Sequence, residues 1–440
     1  MASRGIDVHP KGYHPSSLTR TIFDIIIIGA GPVANFAENR LARAGLSVAV
    51  VQHELYGGEC HFFACVPSKA LLRPVEALEA AKAVGGTREA IGKKKLDVDA
   101  IFERRDRIVD SWDDNNWISI SNGPSGATLV RGFARIAGVK KVSIQPHGEE
   151  QRYLLDANIA VIVATGSSHV VPSIPGIENL EEGKELWINR DAVAANTVPE
   201  HLIILGAGPV GCEMATFYSA VGSQVVLVSS TAEILPKIEP QAASIVREPL
   251  DTDATLAVPV SGSTEDWLYA VGDVNGLAPT THMGVYQARI ASNAILSSVQ
   301  NNQPSIKINP PIGFTVTEAK RFQNTFPQVI FTEPNISTVG HTFASAQAAG
   351  LKVRAIDSDF SIPGAWLYGD GQPGWARWVI EEETDRLVGA TFCCVEGSEF
   401  VNASQVAISQ CLSLREMVHV VPPFPTRGEI WSYLLNAAGY

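Results

Sequence analysis

Cysteine is scarce in this chain, six residues in 440 and unevenly spaced, which excludes the disulfide framework of a small secreted domain. Long apolar runs are missing too. The strongest, Ile25 to Ile28, falls far short of the ~20 residues that span a bilayer and reads as a short buried strand. Neither half carries a block of lysine and arginine, and the formal net charge is -12. Polyphosphate and anionic lipid need a concentrated basic surface, so nucleic acid and membrane are excluded as partners. The leader MASRGIDVHPKGYHPSSLTR lacks an apolar core, so residues 1–20 read as a disordered tail and not a secretory signal. The end, NAAGY, carries no targeting tripeptide. A reducing cytoplasm is the expected compartment.

Glycine-turn repeats are what the chain does have. FDIIIIGAGPVANFAENRLARAGLSVAVVQHE, residues 23–54, reads strand, tight turn, helix, strand. Gly29 and Gly31 permit the turn and the approach of a pyrophosphate to the helix that Pro32 begins, and Ala34 is small enough for helix and strand to pack closely. Gln52 stands where an acid normally binds a ribose hydroxyl, and it still offers hydrogen bonds. A second copy, HLIILGAGPVGCEMATFYSAVGSQVVLVSS, carries Gly206, Gly208 and Gly211. Two such units imply two dinucleotides, or one and a relic. Two further strand ends fit a flavin nucleotide in the first unit: Ala164-Thr165-Gly166, with prolines beyond, and Gly272-Asp273, whose acid suits a ribitol hydroxyl. By itself Asp273 is also an ordinary turn aspartate.

YGGECHFFACVPSK, Tyr56 to Lys69, holds two of the six cysteines. Residue types alone leave three readings: a redox disulfide, a zinc site drawing on His53 and His61, or two inert buried thiols. Cys212, Cys393, Cys394 and Cys411 supply no second C-x2-C for zinc.

In this order GAGPVA, GGECHFFACVPSK, GAGPVGCE, YAVGDVNG, THMGVYQAR, FTEPNISTVG and PPFPT resemble the flavoprotein disulfide reductases, the dihydrolipoamide dehydrogenase and mercuric reductase branch most closely. The likeness runs from Phe23 to Trp431. It implies an α/β fold with two Rossmann-like βαβ domains and a C-terminal α+β dimerisation domain. The expected boundaries are 21–195 and 263–305 for the FAD domain, 196–262 for a shortened NAD(P)-type domain and 311–440 for the interface of a homodimer. By this resemblance Cys65 is the inner thiol facing FAD and Cys60 the outer interchange thiol, and the pair closes a small, reducible disulfide. Lys69 pairs with Glu213 beside the flavin, and Gly58 and His282 join the cofactor-binding set. The implied reaction passes electrons between flavin, the cysteine pair and a small dithiol or disulfide. Two rivals stand beside it: a flavin oxidase or isomerase of secondary metabolism, and a non-catalytic flavin-binding paralogue.

The chain departs from that family twice. Phe424 occupies the position of an acid-base histidine, leaving its supporting carboxylate, Glu429, and a nearby His419. Mercury is not the expected substrate, because no cysteine follows Cys411. The stretch from Gly206 to Gly272 is half as long as that from Gly29 to Ala164, with no second A-T-G, and Ser229 and Ser230 replace any ribose-selecting acid or arginine. NAD(P)H binding at Gly206, Gly208 and Gly211 is expected to be weak. In residues 311–440, QVIFTE, VRAIDSDF, ARWVIEE and RLVGATFC alternate as antiparallel strands, and ASAQAAG and VNASQVAISQCL read as helices. Cys393 and Cys394 are expected to be packed.

Overall fold

The structure, a computed structural model, describes residues 5–228, 253–260, 263, 266–302, 326–359, 361–370 and 374–440. The chain forms two compact units. One comprises Met1–Ser68, Glu103–Asn196 and Pro240–Arg321; the other comprises Lys69–Phe102, Thr197–Glu239 and Phe322–Tyr440.

In the first unit β1 (Ile22–Ile28) runs into α1 (Pro32–Arg43) and β2 (Val48–Gln52), followed by α2 (Gly58–Phe62) and the start of α3 (Cys65–Ala83). Then come β3 (Thr128–Arg131), β4 (Phe133–Gly138), β5 (Lys141–Gln145) and β6 (Tyr153–Val163). The sheet order is β3-β2-β1-β6-β5-β4. The late strand Leu268–Ala270 pairs in parallel with β6, so the sheet gathers chain from both sides of the second glycine turn. Alternate residues of these strands feed two cores. Ile25, Ile27, Val48, Val50, Ala160 and Ile162 pack with α1 and the helix Thr281–Asn302. Ile26, Ile28, Ala49, Val51, Val161 and Val163 pack on the other face. Both faces being covered is why the strands read as unbroken apolar runs, each isoleucine contributing about 1.5–3 kcal/mol by burial.

Residues 5–20 are a correction to the disordered tail read from the sequence. Ile6 and Val8 pack against the cluster of Leu55, Phe62 and Phe63. The His9 ring stacks on His147 at 3.7 Å, and Tyr13 O accepts from Arg131 N at 2.8 Å. A few apolar and aromatic anchors set among polar residues are enough to hold the segment.

In the second unit a parallel pair, β7 (His201–Leu205) and β8 (Gln224–Val228), flanks the helix Pro209–Ala220. An antiparallel sheet follows: β9 being the Leu268–Ala270 strand of the first unit, β10 is Gln328–Ile330, β11 Asn335–Gly340, β12 Val353–Asp359, β13 Trp375–Glu381 and β14 Arg386–Cys394. Its order is β10-β11-β14-β13-β12. Trp378 and Trp431 meet edge to face at 4.7 Å in its core, where Cys394 is buried. Lys69–Phe102, expected in the FAD domain, belongs to this unit: Phe102 packs on Phe217, and Asn335 Nδ2 donates to Glu76 at 3.3 Å. Among the described residues no helix is long and apolar enough to cross a membrane.

Candidate active site

Gly29 has φ +103°, and a Cβ there would stand 2.3 Å from the carbonyl oxygen of Ala164. Only glycine lets the first turn lie against the end of β6. Gly31 begins α1 with no side-chain cap, and a Cβ on it would meet no described atom within 4 Å. Pro32, whose missing N–H costs nothing at this position, follows it, and Ala34 is fully buried. The turn therefore presents uncapped backbone N–H groups and the positive end of a helix to open space, a fit for a pyrophosphate. Gly58 closes one side, its Cβ position 3.1 Å from Gly31 Cα. Thr165, Gly166 and His282 are exposed around it. Asp273 follows Gly272 (φ +80°) and accepts from Ser167 Oγ at 2.7 Å. These residues fit the dinucleotide that the sequence implies.

Gln52 also holds the backbone together. Its amide oxygen accepts from Ala30 N at 3.1 Å and its amide nitrogen donates to Leu55 O at 3.0 Å, both buried. It fastens the glycine turn to the strand end, and its amide has a second N–H and a second oxygen lone pair beyond these two bonds.

Cys60 lies in α2 and Cys65 is the first residue of α3; both are thiols here. A helix N-terminus favours the thiolate form. The Thr281 hydroxyl lies 3.4 Å from each sulfur. Several groups hold the cysteine loop. Arg190 reaches Glu54 at 2.8 Å and Glu59 at 2.9 Å and stacks on Phe63 at 4.7 Å. Although burial raises the Glu54 carboxyl, hydrogen bonding to Arg190 together with the charges of Arg190, His53 and His9 outweighs this and leaves it below its usual range. Trp112 Nε1 donates to Phe62 O at 3.2 Å from a turn in which Asp110, Ser111 and Trp112 all have positive φ. Each non-glycine residue so placed costs roughly 1–2 kcal/mol, and local strain of this kind gathers at functional sites. His61, between the cysteines, is buried against Trp117 with Asp110 3.7 Å away, and burial pushes its pKa below the usual value. Among the described residues no three histidines, cysteines or acids are grouped to hold a metal.

In the second unit Lys69 Nζ lies 3.0 and 2.8 Å from the two oxygens of Glu213, and 4.7 Å over the Phe331 ring. Phe331 N donates to the same carboxylate at 3.2 Å. Two residues on, burial first, then Glu76 and Glu79, pushes the Glu333 carboxyl up to about 7. A carboxyl raised above its unfolded value of 4.5 stabilises fully at lower pH, and the benefit is lost as pH climbs through about 7. Glu333 is only half-buried, so solvent screening trims the effect. Glu333→Gln is expected to raise Tm by about 1–3 °C at pH 8 and to leave it unchanged at pH 4. Equal shifts at both pH values in thermal melts would contradict this.

The second glycine turn is formed as well. Gly206 has φ +110°, a Cβ on Gly211 would stand 2.0 Å from Gly206 O, and Gly208 begins Pro209–Ala220 facing open space. Ser229 and Ser230 lie outside the described residues. Phe424 is 75% exposed and His419 is exposed, while the buried Glu429 accepts from Gly364 N at 3.2 Å. That carboxylate holds the start of the helix Pro363–Gly369.

Sequence reasoning missed Thr281, Arg190 and the Asp110–Trp112 turn. The hydroxyl pair in PTTHMGVYQAR signals a helix start, but nothing local shows that it reaches sulfur.

A family model described as pyridine nucleotide-disulphide oxidoreductase matches residues 23–255, and that family's dimerisation domain matches 326–434. Dihydrolipoyl dehydrogenases of Haloferax volcanii and Chlorobaculum parvum are 27% and 26% identical over 92% of this chain and 94% and 95% of theirs. The first alignment spans 461 positions, more than the 440 residues available here, so that relative carries residues without counterparts. LpdA of Mycobacterium tuberculosis has a TM-score of 0.74 at 18% identity, covering 95% of this chain and 100% of that one. The Cu(II) complex of the HOCl-induced flavoprotein disulfide reductase RclA of Escherichia coli has a TM-score of 0.72 at 19%, covering 95% and 99%. The dimerisation-domain match supports a homodimer. With the family match over more than half its length, and residues that fit FAD, this chain belongs to the pyridine nucleotide-disulphide oxidoreductase family, flavoprotein enzymes acting on sulfur groups.

Proposed function

We propose that the protein is an FAD-dependent thiol/disulfide oxidoreductase that works on small dithiols or disulfides and uses NAD(P)H poorly. The observation that carries this is one hydroxyl touching both sulfurs of a C-x4-C loop whose first helix leans on the open glycine turn. FAD bound at that turn supplies the electron-pair exchange. Cys65, at a helix N-terminus, is the sulfur suited to face it. Cys60, five residues earlier in the separate short helix α2, is suited to attack substrate. Lys69, fixed by Glu213, is the cation in the flavin-side set.

The weak pyridine-nucleotide arm rests on the second glycine turn. Among the described residues its sheet has two strands, and alternate apolar positions stay bare, Ile203 at 66% and Val226 at 55% exposure. A dinucleotide also needs neighbouring strands to hold its nicotinamide half. The experiment is an anaerobic titration of purified protein. Dithiothreitol is expected to bleach the flavin absorbance, and NADH and NADPH at equal concentration to do so at least about tenfold more slowly, a difference of roughly 1.4 kcal/mol in barrier. Rapid bleaching by either nucleotide would overturn that arm, and indifference to dithiol would overturn the whole reading.

A further inference from the structure

On the reading that Cys60 and Cys65 exchange electron pairs with bound flavin, we propose that Thr281 is a catalytic residue that stabilises whichever sulfur is the thiolate. Its hydroxyl has one proton and two lone pairs. In the geometry present it donates to Cys60 Sγ at 3.4 Å, and its oxygen is placed to accept from Cys65 at 3.4 Å. One proton serves one thiolate. When Cys65 gives its proton to solvent, the hydroxyl turns to donate to that sulfur and releases Cys60; when Cys60 ionises to attack a disulfide, it turns back. The switch moves protons only: ionisation breaks one S–H bond and sends that proton to solvent, and reprotonation of the other sulfur takes one back. No carbon–sulfur or sulfur–sulfur bond changes until the thiolate attacks.

The position is built. Thr281 opens a 22-residue helix, whose positive end adds to the hydroxyl's effect on a nearby anion. That helix start is fixed against the first glycine turn: a Cβ on Gly284 would stand 2.4 Å from Val33 Cγ2 and 3.2 Å from Gly272 Cα. Gln287, one turn on, accepts from Gly272 N at 2.8 Å and from Asn275 Nδ2 at 2.9 Å. The hydroxyl is therefore held by the same contacts that shape the flavin-side strand end. Thr281 itself is only partly buried, so isosteric replacement leaves the packing in place.

The test uses full-length holoprotein reduced anaerobically with dithiothreitol. It reads the alkylation rate of Cys60 by iodoacetamide against pH, with the long-wavelength thiolate–flavin band as a second signal. Thr281→Val is expected to lower both roughly tenfold at a pH below the thiol pKa, the size of one hydrogen bond to a charged group. Thr281→Ala should do the same, and Thr281→Ser should recover to within about twofold of wild type, which a packing role would not produce. Val and Ala variants with the wild-type pH profile would overturn the role of Thr281 while leaving the disulfide chemistry intact. Wild-type protein whose flavin dithiothreitol does not bleach would overturn the underlying reading, and this proposal with it.

Discussion

Cys65→Ser is expected to lower dithiol-driven bleaching of the flavin by at least about a thousandfold, because a serine hydroxyl neither ionises near neutral pH nor forms a disulfide with Cys60. The fold is expected to survive. Cys65 is only partly buried, and the Thr281 hydroxyl can hydrogen-bond to a serine as it does to sulfur. Flavin should stay bound, since the glycine turn and the Asp273 strand end are untouched. A variant that is yellow, stable and inert is therefore the expected outcome, read by stopped-flow absorbance after mixing with dithiothreitol. Cys60→Ser should differ from it. That variant keeps the inner sulfur and its long-wavelength band, and loses exchange with substrate. Equal loss of the band in both variants would mean that the two sulfurs do not have the separate roles assigned here.

Gly29→Ala is expected to yield colourless, destabilised protein. The added methyl would sit 2.3 Å from Ala164 O and 2.8 Å from Ala164 C, both backbone atoms that cannot swing aside, at a φ of +103° that alanine rarely adopts. Strain and overpacking together cost on the order of 2–6 kcal/mol, a large share of a domain's stability. Gly31→Ala separates packing from binding. That glycine has φ -73°, which any residue adopts, and open space where its Cβ would be. Its thermal stability is expected to stay within about 1 kcal/mol of wild type, while flavin is lost on desalting because the methyl occupies the cradle. Calorimetry with flavin-to-protein absorbance ratios checks both, and Gly31→Ala protein that keeps its flavin as wild type does would place the cofactor elsewhere.

These consequences were legible in the sequence to different degrees. The turn could be read at Gly29 because tight backbone approach leaves glycine no substitute there, at Gly31 because a pyrophosphate cradle is best left without a side chain, and the isoleucine run because strands buried on both faces lose their alternation. The pairing of Lys69 with Glu213, 144 residues apart, came from family resemblance, since no local pattern links a helix lysine to a distant acid. Thr281 was out of reach for the same reason: its contact with two sulfurs exists only once the helix start is docked on the turn. The structural part played by Gln52 was hidden because its slot suggested only a ligand contact, whereas a neutral amide can also bond two backbone groups that a carboxylate could not both serve. The strand β11 was passed over as a motif, FTEPNISTVG, whose hydroxyls and asparagine hide the alternation; Ser337 is nevertheless fully buried, its hydroxyl bonded to Gly397 O at 2.6 Å.

The central claim is that the sulfurs of Cys60 and Cys65 store an electron pair of their own beside the flavin. Anaerobic titration of the oxidised holoprotein with dithionite counts those electrons directly. Two electron-pair equivalents per flavin are expected for wild type, one for the disulfide and one for the flavin, and one equivalent for Cys65→Ser. Wild-type protein that takes up a single equivalent, with its flavin fully bleached, would contradict the account.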